Sequence, residues 1–214
     1  MATGNLILGP TGWRRWWWGV LLGMAALVVG AGGEGDLLAQ LRAELIPQAG
    51  AETSYGLLLS WDNAQHFADW FYEIQLSPKQ AARVEEALSP IPAPCCDDNS
   101  VFSCCCTRNG KICNLTRSAR GLAHWLVSQR GFGVEEVRAA VEEWLRFLKP
   151  EYYLARALEA RGLDPAQYGL LAHEAYESCY QGQCAAPLDA GGCGGMGLEV
   201  ILEGETPDCC RQGG

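Results

Sequence analysis

The sequence contains no Cys-x-x-Cys pair, no His-Glu-x-x-His and no Gly-x-Ser-x-Gly. It also has neither a phosphate-binding loop nor a dinucleotide fingerprint. Each absence weighs against a class. Without Cys-x-x-Cys the zinc signal is weaker than the cysteine count suggests, with Cys104-x-Cys106 and the four-residue gap of Cys179 to Cys184 the nearest spacings, and a thioredoxin-type redox pair is disfavoured. Without Cys-x-x-Cys-His there is no covalent c-type haem. The other gaps take away zinc-protease, serine-hydrolase, P-loop and Rossmann chemistry. Basic charge is also scarce: 16 Lys and Arg stand against 25 Asp and Glu, for a net charge of −9. An acidic chain of this kind argues against nucleic acid and against anionic membrane surfaces as partners. Only three residues are lysine and three are histidine, and no repeat of fixed period is present.

In their place the chain has cysteine, eleven of them. Six fall within nineteen residues: Cys95, Cys96, Cys104, Cys105, Cys106 and Cys113. A second group comprises Cys179, Cys184, Cys193, Cys209 and Cys210. Neighbouring cysteines rarely bond to each other, because a disulfide wants Cα atoms about 5.5 Å apart with a defined torsion. Each doublet or triplet therefore sends its sulfurs to different partners, or several sulfurs converge on one metal. The odd total leaves at least one thiol for a metal, another chain or a free state.

The N-terminus reads as an export signal. Arg14 and Arg15 precede an uncharged run over residues 16–31, and small residues continue to Gly33. That is the layout of a secretory signal. The run has sixteen residues, whereas a bilayer span usually needs about 20. Cleavage is therefore expected over retention as an N-terminal anchor. Membrane attachment, if retained, would go only through residues 16–31. The Arg-Arg pair also resembles a twin-arginine signal, with Trp13 in place of the usual Ser or Thr. Residues 1–33 are thus set apart as signal, and 34–214 as a single cysteine-rich domain. Loss of the two arginines moves its net charge from −9 to −11. An exported protein of this kind resides in the periplasm, the cell envelope or outside the cell, where disulfides are permitted.

Within 34–214 the patterning predicts a mainly α, small helical domain with irregular cysteine-rich loops. At most a short two-stranded β element accompanies it. Leucines 37, 38, 41 and 45 at helical spacing predict a helix over 34–46. Residues 53–60 predict a strand, and Asp62 to Ile74 a helix. Ser77-Pro78-Lys79-Gln80 predicts a capped helix start. Residues 95–113 read as a polar loop. A helix is expected from about Arg117 to Arg130, then an amphipathic one over 134–148. Two more are expected near 152–160 and 165–176. Leu198, Val200 and Leu202 alternate as a strand able to pair with 54–60.

Three kinds of thiol chemistry remain open. Clustered thiolates suit a soft metal, Cu(I) above all, and zinc where four ligands can be gathered. The expected metal ligands are Cys95, Cys96, Cys104, Cys105, Cys106 and Cys113. Further metal or disulfide candidates are Cys179, Cys184, Cys193, Cys209, Cys210, His124 and Met196. His124 comes eleven residues after Cys113, about three helical turns. An iron–sulfur cluster ranks third among metals, since the spacing matches no standard run. The alternative is a disulfide-stapled interaction or structural domain without metal. Closing a loop of ~15 residues is worth roughly 3 kcal/mol. A thiol-redox protein is the second alternative, with Cys113 lowered in pKa by Lys111, Arg117 and Arg120 nearby. Nothing in the sequence assigns a catalytic residue, so the balance favours a non-enzymatic protein.

Pro94-Cys95-Cys96, the Cys104-Cys105-Cys106 run and a helix bearing His124 and Trp125 form a pattern. Over about residues 94–145 it resembles the exported bacterial cysteine-rich proteins named for a Pro-Cys-Tyr-Cys-Gly-Cys box. The box itself is replaced here by the triplet. The resemblance implies an exported, sulfur-rich, metal-handling protein. Other motifs have simpler readings. Asp97-Asp98-Asn99 lacks the rest of a calcium loop and reads as turn chemistry. Asn114-Leu115-Thr116 matches a glycosylation triplet. Trp61, Phe67, Trp70, Phe71, Trp144, Tyr152 and Tyr153 read as core. His66 and His173 read as ordinary helix-surface residues.

Overall fold

The computed structural model describes residues 34–94, 100–103 and 114–171. Among these the chain is helical, with six α-helices and no extended strand. Helix α1 spans Glu34–Leu45, α2 Trp61–Glu73 and α3 Pro78–Leu88. Helix α4 spans Asn114–Trp125 and continues as one π-turn over Leu126–Arg130. Helix α5 is Val134–Leu148, α6 is Pro150–Glu159, and a 3₁₀ turn covers Pro165–Tyr168. None of these helices is long and apolar enough to cross a membrane. Residues 16–31 lie outside the described part, as does the expected strand at 198–202.

Local chemistry sets the helix ends. Ser77 accepts from the Gln80 N–H while the Gln80 side chain returns to the Ser77 N–H, closing the expected capping box. Pro150 does double duty. It has no N–H to extend α5, yet its fixed φ suits the first turn of α6. The π-turn ends at Gly131, which at φ 70° sits in the left-handed region a glycine enters without strain. At the expected 165–176 helix, only one 3₁₀ turn forms before Gly169 at φ 72° closes it. The rest of that expected helix, past Leu171, lies outside the described residues.

The expected strand at 53–60 is a tight turn. An isolated antiparallel bridge joins Glu52 to Leu58, and Leu57 and Ala93 are also bridge-paired residues. Gly56 takes φ 82°, and Thr53 Oγ1 donates to the Leu57 carbonyl at 2.7 Å. The alternation that suggested a strand is real in burial: Tyr55, Leu57 and Leu59 all point inward. Their backbone is paired across a short hairpin-like turn, the Leu59 N–H donating to the Ala51 carbonyl at 3.0 Å, and no extended strand forms among the described residues.

The core lies between α2, α4 and α5, and α3 closes one side. Helix α5 buries Val137, Val141, Trp144, Leu145 and Leu148 of the stripe its spacing predicts, together with Ala140 and Phe147, while Val134 of that stripe is half-buried. Helices α2 and α4 meet most closely at Gly121. A methyl there would overlap the Phe67 carbonyl oxygen and stand 2.8 Å from the Phe71 nitrogen. Rings run through this core in contact. Trp125 stacks on Trp70 at 5.1 Å, Trp70 on Phe67 at 5.2 Å, and Phe67 meets Trp144 edge-on at 4.8 Å. Trp61, expected as core, is 38% exposed at the start of α2, its ring leaning on Phe147. A smaller cluster of Leu41, Leu154 and Leu158 fastens α1 to α6.

Candidate functional site

Every cysteine of the chain, and Met196, lies outside the described residues. The structure does describe the ends from which the first cysteine group departs, and the histidine expected to join it. Pro94 precedes Cys95, Ser103 precedes Cys104, and Asn114 comes directly after Cys113. Between the two cysteine runs, residues 100–103 are held. The Val101 N–H donates to the Ile91 carbonyl at 2.7 Å, and Val101 is buried. Ser100 Oγ accepts from the Phe102 N–H at 3.1 Å. Phe102 then lies on α4 over the Arg120 guanidinium, 4.8 Å from carbon to ring centre. Arg120 is six residues, about 9 Å of helix axis, from Asn114.

Helix α4 carries unusual polarity for a buried helix. Thr116, Arg117 and Ser118 are all buried. Ser118 is explained by its partners: its hydroxyl accepts from the Trp144 indole N–H at 3.0 Å and donates to the Leu115 carbonyl at 3.0 Å. Arg117, Arg120 and His124 recur at spacings of three and four, so they share one face of α4. That face looks onto the end of α2. Arg117 lies 5.4 Å from the Tyr72 ring, and Arg120 4.9 Å from the Phe71 ring. His124 packs against Phe71 at 5.5 Å. Arg120 therefore meets two rings, Phe71 and Phe102.

His124 is half-buried at this end. Burial, and then the charge of Arg120, lower its pKa to about 4, although the Ile74 backbone partly opposes this by accepting from the ring. The imidazole is therefore neutral near pH 7, as a metal ligand requires. Its Nδ1 is buried without a hydrogen-bond partner. A buried lone pair left unpaired costs free energy and is the kind of atom a metal would occupy. His124 thus fits the additional-ligand role, and the cysteine runs would supply the thiolates. The neighbouring arginines shape what it could take. They would repel a bare cation but attract one already carried as an anionic thiolate complex.

Among the described residues no three His, Cys, Asp or Glu side chains converge as a metal group. The described side chains thus supply fewer than three such ligands to any one site. The glycosylation triplet is placed unfavourably, since its Leu115 and Thr116 are buried within α4. Far from this end, Glu143 and Arg146 face the end of α1 across a cleft of about 240 Å³. Burial raises the Glu143 pKa there.

Sequence reasoning singled out His124, and named Arg117 and Arg120 only for their charge near Cys113. It missed Phe102, which sits in a stretch that reads as polar loop. The one signal for it was an apolar Val101-Phe102 pair between two cysteine runs. No family model matches this chain, and neither do the curated proteins or the solved structures.

Proposed function

We propose that this chain is an exported, non-enzymatic, cysteine-rich helical domain that handles a soft metal, Cu(I) or zinc, through clustered thiolates. The observation that carries the reading is the His124 Nδ1, buried and unpaired on a neutral ring. It lies on the helix that begins directly after Cys113. Three further points support it. Ser103, beside Cys104, and Asn114, beside Cys113, both adjoin α4, one through the Phe102 contact with Arg120 and the other as its first residue. The described core of α2, α4 and α5 is built from apolar side chains and rings. Arg117 and Arg120 favour thiolate over thiol near them.

Elemental analysis of the reduced, purified protein tests the reading. About one or more equivalents of copper or zinc should be found. Replacing Cys104, Cys105 and Cys106 together by Ser should remove the metal while far-UV circular dichroism stays helical. If the native protein holds no metal and its cysteines are almost all paired, the domain is a disulfide-stapled scaffold and the proposal is wrong.

A further inference from the structure

We propose that the cleft between the end of α1 and α5 is a site for a small aliphatic amine, its ammonium pairing with Glu143 and its alkyl chain lying along Leu45, Ile46 and Pro47. The site is independent of the cysteines and of the metal reading. The cleft measures about 240 Å³ and is lined by residues 43–47, Glu143 and Arg146. Its charge is negative on three counts. Glu143 is half-buried, yet it makes no hydrogen bond and no ion pair among the described residues. Arg146, three residues on and so on the same face of α5, turns instead to Glu142 at 3.3 Å and lies 5.9 Å from the Tyr153 ring. Glu44, exposed, adds a second carboxylate to the lining. Helix α1 also ends here. The Ile46 N–H closes its last turn on the Arg42 carbonyl at 3.0 Å, and Pro47 has no N–H to offer the Ala43 carbonyl. The carbonyl end of a helix carries partial negative charge.

Glu143 is not served from the core side either. The Tyr55 hydroxyl is near enough to feel its charge: burial, and then Glu143, raise the phenol pKa. That hydroxyl is buried without a hydrogen-bond partner. Thr53 Oγ1, which partly offsets the shift, is already engaged with Leu57 as donor and acceptor. A carboxylate taken partly out of water with no donor in return is held at a cost, and burial accordingly raises the Glu143 pKa against the opposing charge of Arg146. An ammonium group supplies what is missing, three N–H donors and a positive charge. The apolar Leu45-Ile46-Pro47 stretch and the volume of the cleft suit a chain of a few carbons behind it. A metal ion fits less well, since no three His, Cys, Asp or Glu side chains converge among the described residues. An anion would meet two carboxylates and a helix C-terminus, on a chain whose net charge is already −9.

The test titrates the full mature chain, followed by amide NMR, with three probes of one shape at equal ionic strength: n-pentylamine, 1-pentanol and pentanoate. Pentylamine should shift the amides of residues 43–46 and 143–146 saturably, with a Kd of about 1 mM for so small a ligand. Pentanol should bind about tenfold more weakly, and pentanoate should not bind. Glu143→Gln keeps the shape and removes the charge. It should weaken pentylamine by about tenfold, the worth of one half-buried charge pair, with helical circular dichroism unchanged. Glu44→Gln removes an exposed, well-screened charge and should weaken it by about twofold. Equal affinity for pentylamine and pentanol would make the cleft an apolar groove and overturn the proposal. Wild-type affinity in Glu143→Gln, or saturable shifts confined to other residues, would overturn it too. Should Glu143→Gln fail to fold, the ratio of pentylamine to pentanol affinity in the wild type decides the matter. Metal content plays no part in any of these outcomes, so the amine site and the metal reading stand or fall separately.

Discussion

Gly121→Ala gives the sharpest test of the packing that holds the candidate site. On an ordinary helix the change would stabilise, since alanine exceeds glycine by about 1 kcal/mol in helix propensity. Here α2 crosses α4 at that residue. The added methyl would overlap the Phe67 carbonyl oxygen, and lie 2.8 Å from the Phe71 nitrogen and 2.9 Å from the Phe67 carbonyl carbon. All three atoms are backbone, so no rotamer change relieves the clash. The helices must part, which loosens Phe67, Trp70 and Trp144 together. Overpacking costs roughly 1–3 kcal/mol in general, and a backbone clash belongs at the upper end, about 3 kcal/mol. With a urea slope of about 2 kcal/mol/M, the unfolding midpoint should fall by about 1.5 M. The near-UV circular dichroism of the stacked Trp70–Trp125 pair should weaken in the same variant. A midpoint equal to or above wild type would refute the close crossing, because helix propensity alone would then decide the outcome.

His124 has a folded pKa below its unfolded value near 6.5, so the unfolded chain binds the proton first as pH falls. Its contribution is complete above about pH 6.5 and is lost towards about pH 4; His124→Gln should flatten that part of the stability–pH curve, with NMR titration of the ring reporting the pKa. Ser118→Ala leaves the buried Trp144 indole N–H without its 3.0 Å acceptor and should cost about 1–2 kcal/mol in urea unfolding. N-terminal sequencing of the native protein should find a start close to Glu34, whereas an intact Met1 would contradict export with cleavage.

The periodic apolar spacing of residues 134–148 determined the type and buried face of α5, because that stripe can be buried only as a helix. Ser77, Pro78 and Gln80 specified the start of α3 by a local capping exchange that needs no distant partner. The mainly helical fold class came from such local signals. At 53–60 the alternation of Tyr55, Leu57 and Leu59 correctly marked burial but not the backbone, since Thr53 and Gly56 close a turn before any strand can pair. Helix α4 starts three residues before the expected Arg117: Asn114 and Thr116 have weak helix propensity, and burial of Leu115 and Thr116 accompanies the extra turn. The candidate site divides in the same way. The cysteine runs and His124 were legible as residue types whose chemistry does not depend on context. Residues distant in sequence had to meet before Phe71 and Phe102 could both reach Arg120, or before burial beside Arg120 could hold the imidazole neutral. Those distances are set by the α2–α4 crossing at Gly121, a long-range contact that no local pattern encodes.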